Sequence, residues 1–232
     1  MKHLLTFVIA AVLSNAGHAA IPILLPGNSE SAQWAALRSS NYLGAGGSSS
    51  FFHPTAAWPA RIAGNGSPSS SATFFKESGG GYFASSSVYD AGVAGTYSLV
   101  DASPLSGLQT ILLQLDIGAS LGIFPVLHWN GGQQSLAAHF SVTVPGSYMA
   151  SGPDGPVASV NHAWQWDLHS IAEPIDRYQI VWGSLTNQHL TQFEIHVTAG
   201  NSFAQVIPEP STALFAVCAT ALFLRRRNIN QP

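Results

Sequence analysis

Residues 162–168 read His162-Ala-Trp-Gln-Trp-Asp-Leu168, in which large apolar and polar side chains alternate. The two tryptophans and the leucine fall on one face of an extended chain, and the glutamine and aspartate fall on the other. A period of two is typical of a β-strand with one face in a core and one exposed. The pattern therefore predicts that Trp164 and Trp166 are core residues.

The same alternation recurs in residues 178–182 and 192–198. Inward-facing side chains are predicted there for Tyr178, Ile180, Trp182, Phe193, Ile195 and Val197. Glu194 and His196 are expected on the opposite face. Leu108–Ile117 is longer and more apolar, which predicts a central strand. A helix is the competing interpretation of that segment, but its β-branched residues and flanking glycines favour a strand.

Short strand signals recur every 8 to 15 residues from Ala72 onward. They lie at 73–76, 81–85, 96–101, 108–117, 124–129, 136–144, 162–168, 177–182 and 190–198. Turn residues separate them, for example Gly79-Gly80-Gly81, Asn130-Gly131-Gly132 and Pro145-Gly146-Ser147. Even spacing with such punctuation predicts an all-β fold, an antiparallel β-sandwich of jelly-roll type.

The β domain is assigned to residues 72–200. Residues 20–71 before it are rich in Ser, Gly and Pro, which predicts a flexible N-terminal region. Within that region, Ser29–Arg38 is expected to form one or two helical turns.

Met1–Ala19 has the composition of a signal peptide. Lys2-His3 forms a short basic start, and the apolar run Leu4–Leu13 follows it. The small residues of Gly17-His18-Ala19 favour cleavage after this triplet, and Ser14-Asn15-Ala16 is the alternative. About ten apolar residues are too few to span a bilayer as a retained anchor. The rest of the chain is therefore expected outside the cytoplasm.

The C-terminal tail, residues 206–232, contains three elements in order: Pro208-Glu209-Pro210, an uncharged apolar run over 212–224, and Arg225-Arg226-Arg227. The prolines keep their neighbours extended, so a helix begins no earlier than Ser211. Such a helix covers about 20 Å, less than the roughly 30 Å core of a bilayer. The three arginines suit a cytoplasmic anchor. The tail therefore predicts a short transmembrane helix over 212–224.

The order and terminal position of Pro208, Glu209, Pro210, the apolar run and Arg225, Arg226 and Arg227 resemble the PEP-CTERM sorting signal of exported proteins in Gram-negative bacteria. The resemblance implies export by Sec-type machinery and processing near Pro-Glu-Pro by an exosortase, a membrane-embedded cysteine transpeptidase-like enzyme. It also implies an association with exopolysaccharide. The competing interpretation is a buried C-terminal core helix, against which the signal peptide argues. The body of the chain resembles no characterised family.

Without its two ends the chain is acidic. Four bases, Arg38, Arg61, Lys76 and Arg177, stand against eleven acids, which gives a net charge of −7. This excludes nucleic acid as a partner and gives no attraction to an anionic lipid surface. The single cysteine, Cys218, lies in the apolar tail, so the body has no disulfide and no cysteine nucleophile. Cys218 is read as a small apolar residue, with a lipid-modified or exosortase-related cysteine as the alternative.

No catalytic motif is recognisable in the body. Asp101, Asp116, Asp167 and Glu194 are the candidate carboxylates for glycan hydrolysis, which needs two carboxyl groups across a cleft. Sequence alone does not place these four residues relative to one another. A glycan hydrolase is therefore kept only as an alternative, and no catalytic residue is assigned.

Ligand-binding candidates are few. Asp167 and His169, or His162, form a weak metal-ligand pattern without a third partner, so no metal or cofactor is assigned. A structural calcium ion at a turn containing Asp154 is a further candidate, although a lone acid there is more typical of a turn. Trp129, at a strand end beside Asn130-Gly131-Gly132, is the candidate for glycan stacking.

These patterns predict an exported, non-enzymatic protein of the envelope or exopolysaccharide. It is expected to be anchored transiently in the inner membrane and then to reach the envelope, the surface or the extracellular matrix. A carbohydrate-binding β-sandwich module is the alternative function. The expected partners are the export machinery, an exosortase-type enzyme and extracellular polysaccharide.

Overall fold

The computed structural model describes residues 23–42, 58, 60–65, 68–84, 87–90, 92–118, 121–131, 134–152, 155–184 and 190–207. The signal peptide, Pro208-Glu209-Pro210, the segment 212–224 with Cys218, Arg225-Arg226-Arg227 and Asp154 lie outside these residues, so the predictions about them stay predictions. Within the described ranges, no helix is both long and apolar enough to cross a bilayer.

Thirteen strands form two antiparallel sheets, and the one helix of the described residues is a single turn, α1 (Ser39–Tyr42). Sheet A contains β1 (Ser29–Trp34), β4 (Tyr82–Phe83), β5 (Val88–Tyr89), β7 (Thr110–Gly118), β10 (Phe140–Gly152), β11 (Gly155–Asp167) and β13 (Thr191–Gly200). Sheet B contains β2 (Ile62–Ala63), β3 (Thr73–Gly79), β6 (Gly95–Asp101), β8 (Ile123–Trp129), β9 (Gln134–Ala137) and β12 (Tyr178–Gly183).

The strand order in sheet A is β10-β11-β7-β13, and the far edge of β13 is shared by β1 and the short pair β5-β4. The order in sheet B is β2-β3-β6-β12-β8-β9. From β6 to β13 the chain changes sheet at every step except the β8–β9 and β10–β11 hairpins. The predicted all-β antiparallel sandwich is thus confirmed at the level of two sheets around one core.

The core between the sheets is dominated by aromatic side chains. Trp34, Trp166 and Trp182 are fully buried, and the rings of Phe74 and Trp182 stack at 5.8 Å. The predicted inward orientation is confirmed for Trp164, Trp166, Trp182, Tyr178, Ile180, Ile195 and Val197, all of which belong to this cluster. Large rings supply most of the buried apolar area in such a core.

The interpretation of Ser29–Arg38 as helical turns is wrong, because Ser29–Trp34 forms β1 and pairs with β13. This part of the region predicted to be flexible is therefore integral to sheet A. Ala32 and Trp34 face the core, whereas the Ser, Glu and Gln residues of β1 have little local strand preference. The pairing partner lies more than 160 residues away along the chain, so it is invisible to a local pattern.

The predicted turn at Pro145-Gly146-Ser147 is also wrong. β10 continues through it with a shift of register between Pro145 and Met149. Proline is tolerated because β10 is an edge strand of sheet A, where one side of the backbone needs no donor. The segment predicted as one strand over 136–144 is instead divided between β9 and β10.

Candidate functional site on the outer face of sheet A

The face of sheet A that points away from sheet B, here called the outer face, carries rows of polar side chains across adjacent strands. Asp116 on β7 is the register partner of Asn161 on β11 and of Glu194 on β13. Side chains directly opposite on paired strands have Cβ atoms about 4.5–5.5 Å apart. Two of the four candidate carboxylates, Asp116 and Glu194, are thus brought together.

Glu194 lies at the centre of a hydrogen-bond network. Its Oε1 accepts from Gln33 Nε2 at 2.8 Å and from His196 Nε2 at 2.6 Å, and its Oε2 accepts from Tyr148 Oη at 3.0 Å. The residue is only 1% exposed. Because three donors converge on one carboxylate, the ionised form is well satisfied despite its burial.

The electrostatics of this network follow from those contacts. Burial alone would raise the pKa of Glu194, but the hydrogen bond and charge of His196, with the bonds from Gln33 and Tyr148, outweigh it and lower the pKa. Burial, together with the neighbouring Glu194 carboxylate, raises the pKa of Tyr148 to about 12. Near neutral pH the pair therefore consists of a carboxylate and a neutral phenol.

A β-bulge explains why Glu194 is covered. The register of β13 against β7 shifts between Gln192 and Glu194, which leaves Phe193 as the extra residue. Phe193 is buried as predicted, but it stacks on Tyr148 of β10 at 5.1 Å and does not belong to the core between the sheets. The predicted inward orientation of Phe193 is therefore wrong, because the bulge reverses the alternation there. β10 bends across the outer face and shields this part of β13.

Beside this network lies a groove of about 310 Å³, here called the outer-face groove. Its floor includes Gln33, Gln114 and His196, which are register neighbours on β1, β7 and β13. Its apolar wall is the segment Ile23–Leu25. Because His196 Nε2 donates to Glu194, the Nδ1 atom is the ring nitrogen that remains for other partners.

The Asp116–Glu194 pair is a poor match to glycan hydrolysis. Such enzymes need one carboxylic acid with a raised pKa as the proton donor, a role that the lowered pKa of Glu194 does not suit. Both side chains are buried, and neither lines the outer-face groove. The arrangement therefore suits an orienting role for Glu194, which fixes His196 and Gln33.

The other two candidate carboxylates are dispersed. Asp101 accepts hydrogen bonds from Ser70 Oγ at 2.6 Å and Ser71 Oγ at 2.8 Å near the end of β6. Asp167 lies at the end of β11 and contacts His169 Nδ1 at 2.6 Å. That contact brings together the weak metal-ligand pair. In the described part of the chain, no three His, Cys, Asp or Glu side chains converge as a metal site would require.

Trp129 lies at one end of the sandwich, between two depressions. Its indole Nε1 donates to Glu173 Oε1 at 2.7 Å, and the residue is 9% exposed. The larger depression, here called the loop-end groove, has about 720 Å³ between residues 102–109 and 168–176. Glu173, the hydrogen-bond partner of Trp129, lines this groove, whereas Trp129 itself lines a smaller depression of about 90 Å³. Little of its ring faces solvent, and glycan stacking at Trp129 stays a prediction.

A second buried polar cluster, here called the inter-sheet cluster, joins the sheets at another position. Asp90 accepts hydrogen bonds from Tyr97 Oη and, at 2.5 Å, from Ser184 Oγ. Lys76 is also buried, and its Nζ donates to the Gly81 carbonyl at 2.9 Å. Burial raises the pKa of Asp90 and lowers the pKa of Lys76.

The inter-sheet cluster depends on glycine. A Cβ atom at Gly81, whose φ is +105°, would lie under 3.0 Å from Tyr97 Oη. One at Gly95 would lie 2.8 Å from Asp90 Oδ2. The sequence pattern indicated only a turn at Gly79-Gly80-Gly81. Lys76, at an inward position of β3, was the one sequence signal of this cluster, because a buried lysine requires polar partners.

Neither the known protein families, the curated proteins nor the solved structures contain a match to this chain. The functional argument therefore starts from the residues of the chain itself. The outer-face groove is open to a ligand, whereas the inter-sheet cluster is enclosed.

Proposed function

We propose that this chain is an exported, non-enzymatic protein of the cell envelope or exopolysaccharide matrix, sorted by its C-terminal PEP-CTERM tail. The observation that carries the proposal is the order of segments along the chain. The strands occupy residues 29–200, and the signal peptide and the tail lie entirely outside them. Both ends are therefore available to export and sorting enzymes without unfolding of the sandwich.

The partners follow from the two signals. Sec-type machinery recognises the signal peptide, and an exosortase-type enzyme processes the tail near Pro208-Glu209-Pro210. The protein is held briefly in the inner membrane through residues 212–224 and Arg225-Arg226-Arg227. It then moves to the envelope, the surface or the extracellular matrix.

The sandwich is of jelly-roll type in this proposal. Four strands of sheet A, in the order β1-β13-β7-β11, face four strands of sheet B, in the order β6-β12-β8-β9. This arrangement supports the assignment, because a jelly roll consists of two such four-stranded sheets with the chain crossing between them. β2 to β5, between the first and second strands of the roll, and β10, between the fifth and sixth, are then additions.

The intact mass of the protein isolated from the producing organism tests the sorting proposal. We expect a chain that begins at Ala20 and has lost the apolar run and the three arginines. Fractionation should place this shortened chain in the envelope, matrix or medium. A surface-isolated chain that still ends at Pro232 would contradict the proposal.

Carbohydrate binding at the outer-face groove is the second candidate function. The floor offers two glutamine amides and a histidine that a buried carboxylate holds in place, opposite an apolar wall. Binding sites for small ligands combine apolar walls with a few positioned polar groups, in volumes of about 300–1,000 Å³. The volume of the outer-face groove, about 310 Å³, lies at the lower end of this range, which suits one or two sugar units.

A glycan array probed with the mature protein tests this second function. Gln114→Ala should abolish binding that uses the outer-face groove, while Trp129→Ala should leave it unchanged. The reverse result would move the site to the loop-end groove and Trp129. An array without any signal would contradict carbohydrate binding at both places.

A further inference from the structure

The two ends of the described chain meet on the outer face of sheet A. Ile207, the last described residue, is fully buried against Leu112 and Ala163. Ile23, the first described residue, packs against the same cluster. The adjoining segments are also hydrogen bonded to each other, because Asn201 N donates to the Asn28 carbonyl at 3.1 Å. The attachment points of both export signals are therefore neighbours.

Gln165 holds the C-terminal segment in place. Its Oε1 accepts from the backbone nitrogens of Val206 and Ile207, both at 3.1 Å, and its Nε2 donates to the Ala204 carbonyl at 2.6 Å. Gln165 is fully buried. Ile207 is thus a fixed exit point, and residues after it leave the sandwich from a defined position.

The tether beyond this exit point is short. Only Pro208–Ser211 separate Ile207 from the apolar run that begins at Thr212. Four extended residues span at most about 14 Å. A bilayer that holds the apolar run therefore lies within that distance of the outer face of sheet A.

Five apolar side chains lie near the exit point and are here called the exit patch: Ile23, Leu24, Phe140, Val142 and Phe203. Leu24 is 91% exposed, and the exposed Phe203 ring stacks on Phe140 at 6.5 Å. None of these five side chains is charged. A contiguous exposed apolar patch typically marks a protein or membrane contact.

We propose that the exit patch rests on the lipid surface while the tail is inserted, so that sheet A faces the membrane and sheet B faces away. The inference rests on the proposed membrane insertion of the tail. The contact is apolar, since the acidic body gives no attraction to anionic headgroups. Because Leu24 also lines the outer-face groove, that groove opens toward the lipid in this orientation.

Phe124 provides a matched control. It is 67% exposed and lies on β8 of sheet B. It is therefore a large, exposed apolar residue, like Leu24, on the opposite side of the sandwich. An unspecific attraction of apolar side chains to lipid affects both positions, whereas a fixed orientation affects only Leu24.

The test uses the chain without its signal peptide, with Cys218→Ser, in phosphatidylethanolamine–phosphatidylglycerol vesicles. Leu24→Cys and Phe124→Cys each carry an environment-sensitive fluorophore, and a fraction of the lipids carries a nitroxide near the headgroup. Phe203→Cys is a second patch position, in case labelling at residue 24 disturbs the fold. An apolar surface inserts about 5–10 Å into the interface, so labels at 24 and 203 should be quenched several-fold more than a label at 124.

Equal quenching at positions 24, 203 and 124, in protein that floats with the vesicles, would overturn the orientation but not the proposed membrane insertion of the tail. Protein that does not float with the vesicles would overturn the proposed insertion of the tail, and with it the orientation. Flotation and quenching are read from the same sample, so the two failures are distinguishable.

Discussion

Asp90 and Glu194 are both buried carboxylates in this sandwich, yet their environments shift their pKa values in opposite directions. Asp90 lies between the sheets, and its burial outweighs the bonds from Ser184 and Tyr97, so its pKa is raised. Glu194 lies on the outer face, and His196, Gln33 and Tyr148 outweigh its burial, so its pKa is lowered. Each carboxylate has three hydrogen bonds and one basic neighbour, so the direction is decided by whether the cost of burial exceeds the gain from these contacts.

The two carboxylates also have different neighbours. Asp90 is enclosed by Tyr97 on β6 and by Gly81 and Gly95, where an added Cβ atom would collide with this cluster. Lys76 on β3 is its basic neighbour. Glu194 fixes His196 and Gln33, which form the floor of an open groove. The inter-sheet cluster is therefore enclosed within the architecture, and the outer face of sheet A is the surface that we propose for contact with partners.

The largest expected effect comes from removing Asp90. Asp90→Ala leaves Tyr97 and Ser184 without their acceptor and removes the carboxylate nearest Lys76. Loss of one member of a buried charged pair costs about 3–5 kcal/mol of unfolding free energy, measured by chemical denaturation. Asp176→Ala, at an exposed carboxylate, is the control and should stay within about 0.5 kcal/mol. Equal losses for both variants would show that the inter-sheet cluster is not a structural element.

Gly81→Ala should have the next largest effect. Its Cβ would collide with Tyr97 Oη and would sit at a φ of +105°. Gly107→Ala is the matched control, because its φ is +73° and nothing lies within 4 Å of the added atom. The backbone strain common to both costs about 1–3 kcal/mol, and the collision adds about 1–3 kcal/mol at Gly81 alone. Similar melting temperatures for the two variants would contradict the enclosed geometry.

Glu194→Gln should destabilise the protein by about 1–3 kcal/mol near neutral pH, because three donors lose a charged acceptor. The folded-state pKa of Glu194 is lowered, so this contribution is present above the ordinary glutamate pKa of 4.5 and is lost as pH falls through the folded pKa. The difference between wild type and variant should therefore shrink in acid. If the difference in stability between wild type and Glu194→Gln grows on acidification, the lowered folded-state pKa of Glu194 is contradicted.

Asp90→Asn should show the opposite pH dependence. The folded-state pKa of Asp90 is raised, so its contribution is fully present below the ordinary aspartate pKa of 3.8 and is lost as pH rises through the folded pKa. Stability of wild type relative to this variant should thus fall as pH rises above about 4. Denaturation series of Glu194→Gln and Asp90→Asn over the same pH range compare the two slopes directly. Slopes of the same sign would remove the contrast between the two carboxylates.

The smallest expected effect comes from the exit point. Gln165→Ala removes three hydrogen bonds from residues 204–207 and should release them locally, with about 1 kcal/mol of global destabilisation. Hydrogen exchange of residues 201–207 should rise strongly, whereas exchange in β12 stays unchanged. Gln134→Ala, at an exposed position on β9, is the control. Unchanged exchange at 201–207 would show that Gln165 does not hold the exit point.

Alternation of side chains predicted the strands well in residues 178–182, where one face is buried, and in residues 162–168, although Ala163 and Gln165 on the outer face are buried there too. It failed at Phe193, because a bulge is an insertion in one strand relative to its neighbour. It also failed at β1, whose stability as a strand comes from β13 and not from its own Ser, Glu and Gln residues. Local patterns carry no information on such distant pairing.

The candidate site was predictable only in part. Asp116 and Glu194 were identified as carboxylates of interest, but their adjacency depends on the order of β7 and β13 in the sheet. Gln33 and Tyr148 reach Glu194 from distant parts of the chain, so nothing near residue 194 indicates them. Lys76 lies on β3 of sheet B and Asp90 follows β5 of sheet A, so their proximity likewise depends on how the two sheets pack.

The central claim is that the outer face of sheet A, and neither the loop-end groove nor sheet B, contacts the matrix. Hydrogen–deuterium exchange of the mature protein, with and without exopolysaccharide purified from the producing organism, tests it most directly. We predict slower exchange in peptides covering 23–34 and 191–200, and no change in 102–109, 168–176 or 123–129. Protection confined to the loop-end groove or to sheet B, or no protection at all, would contradict the claim.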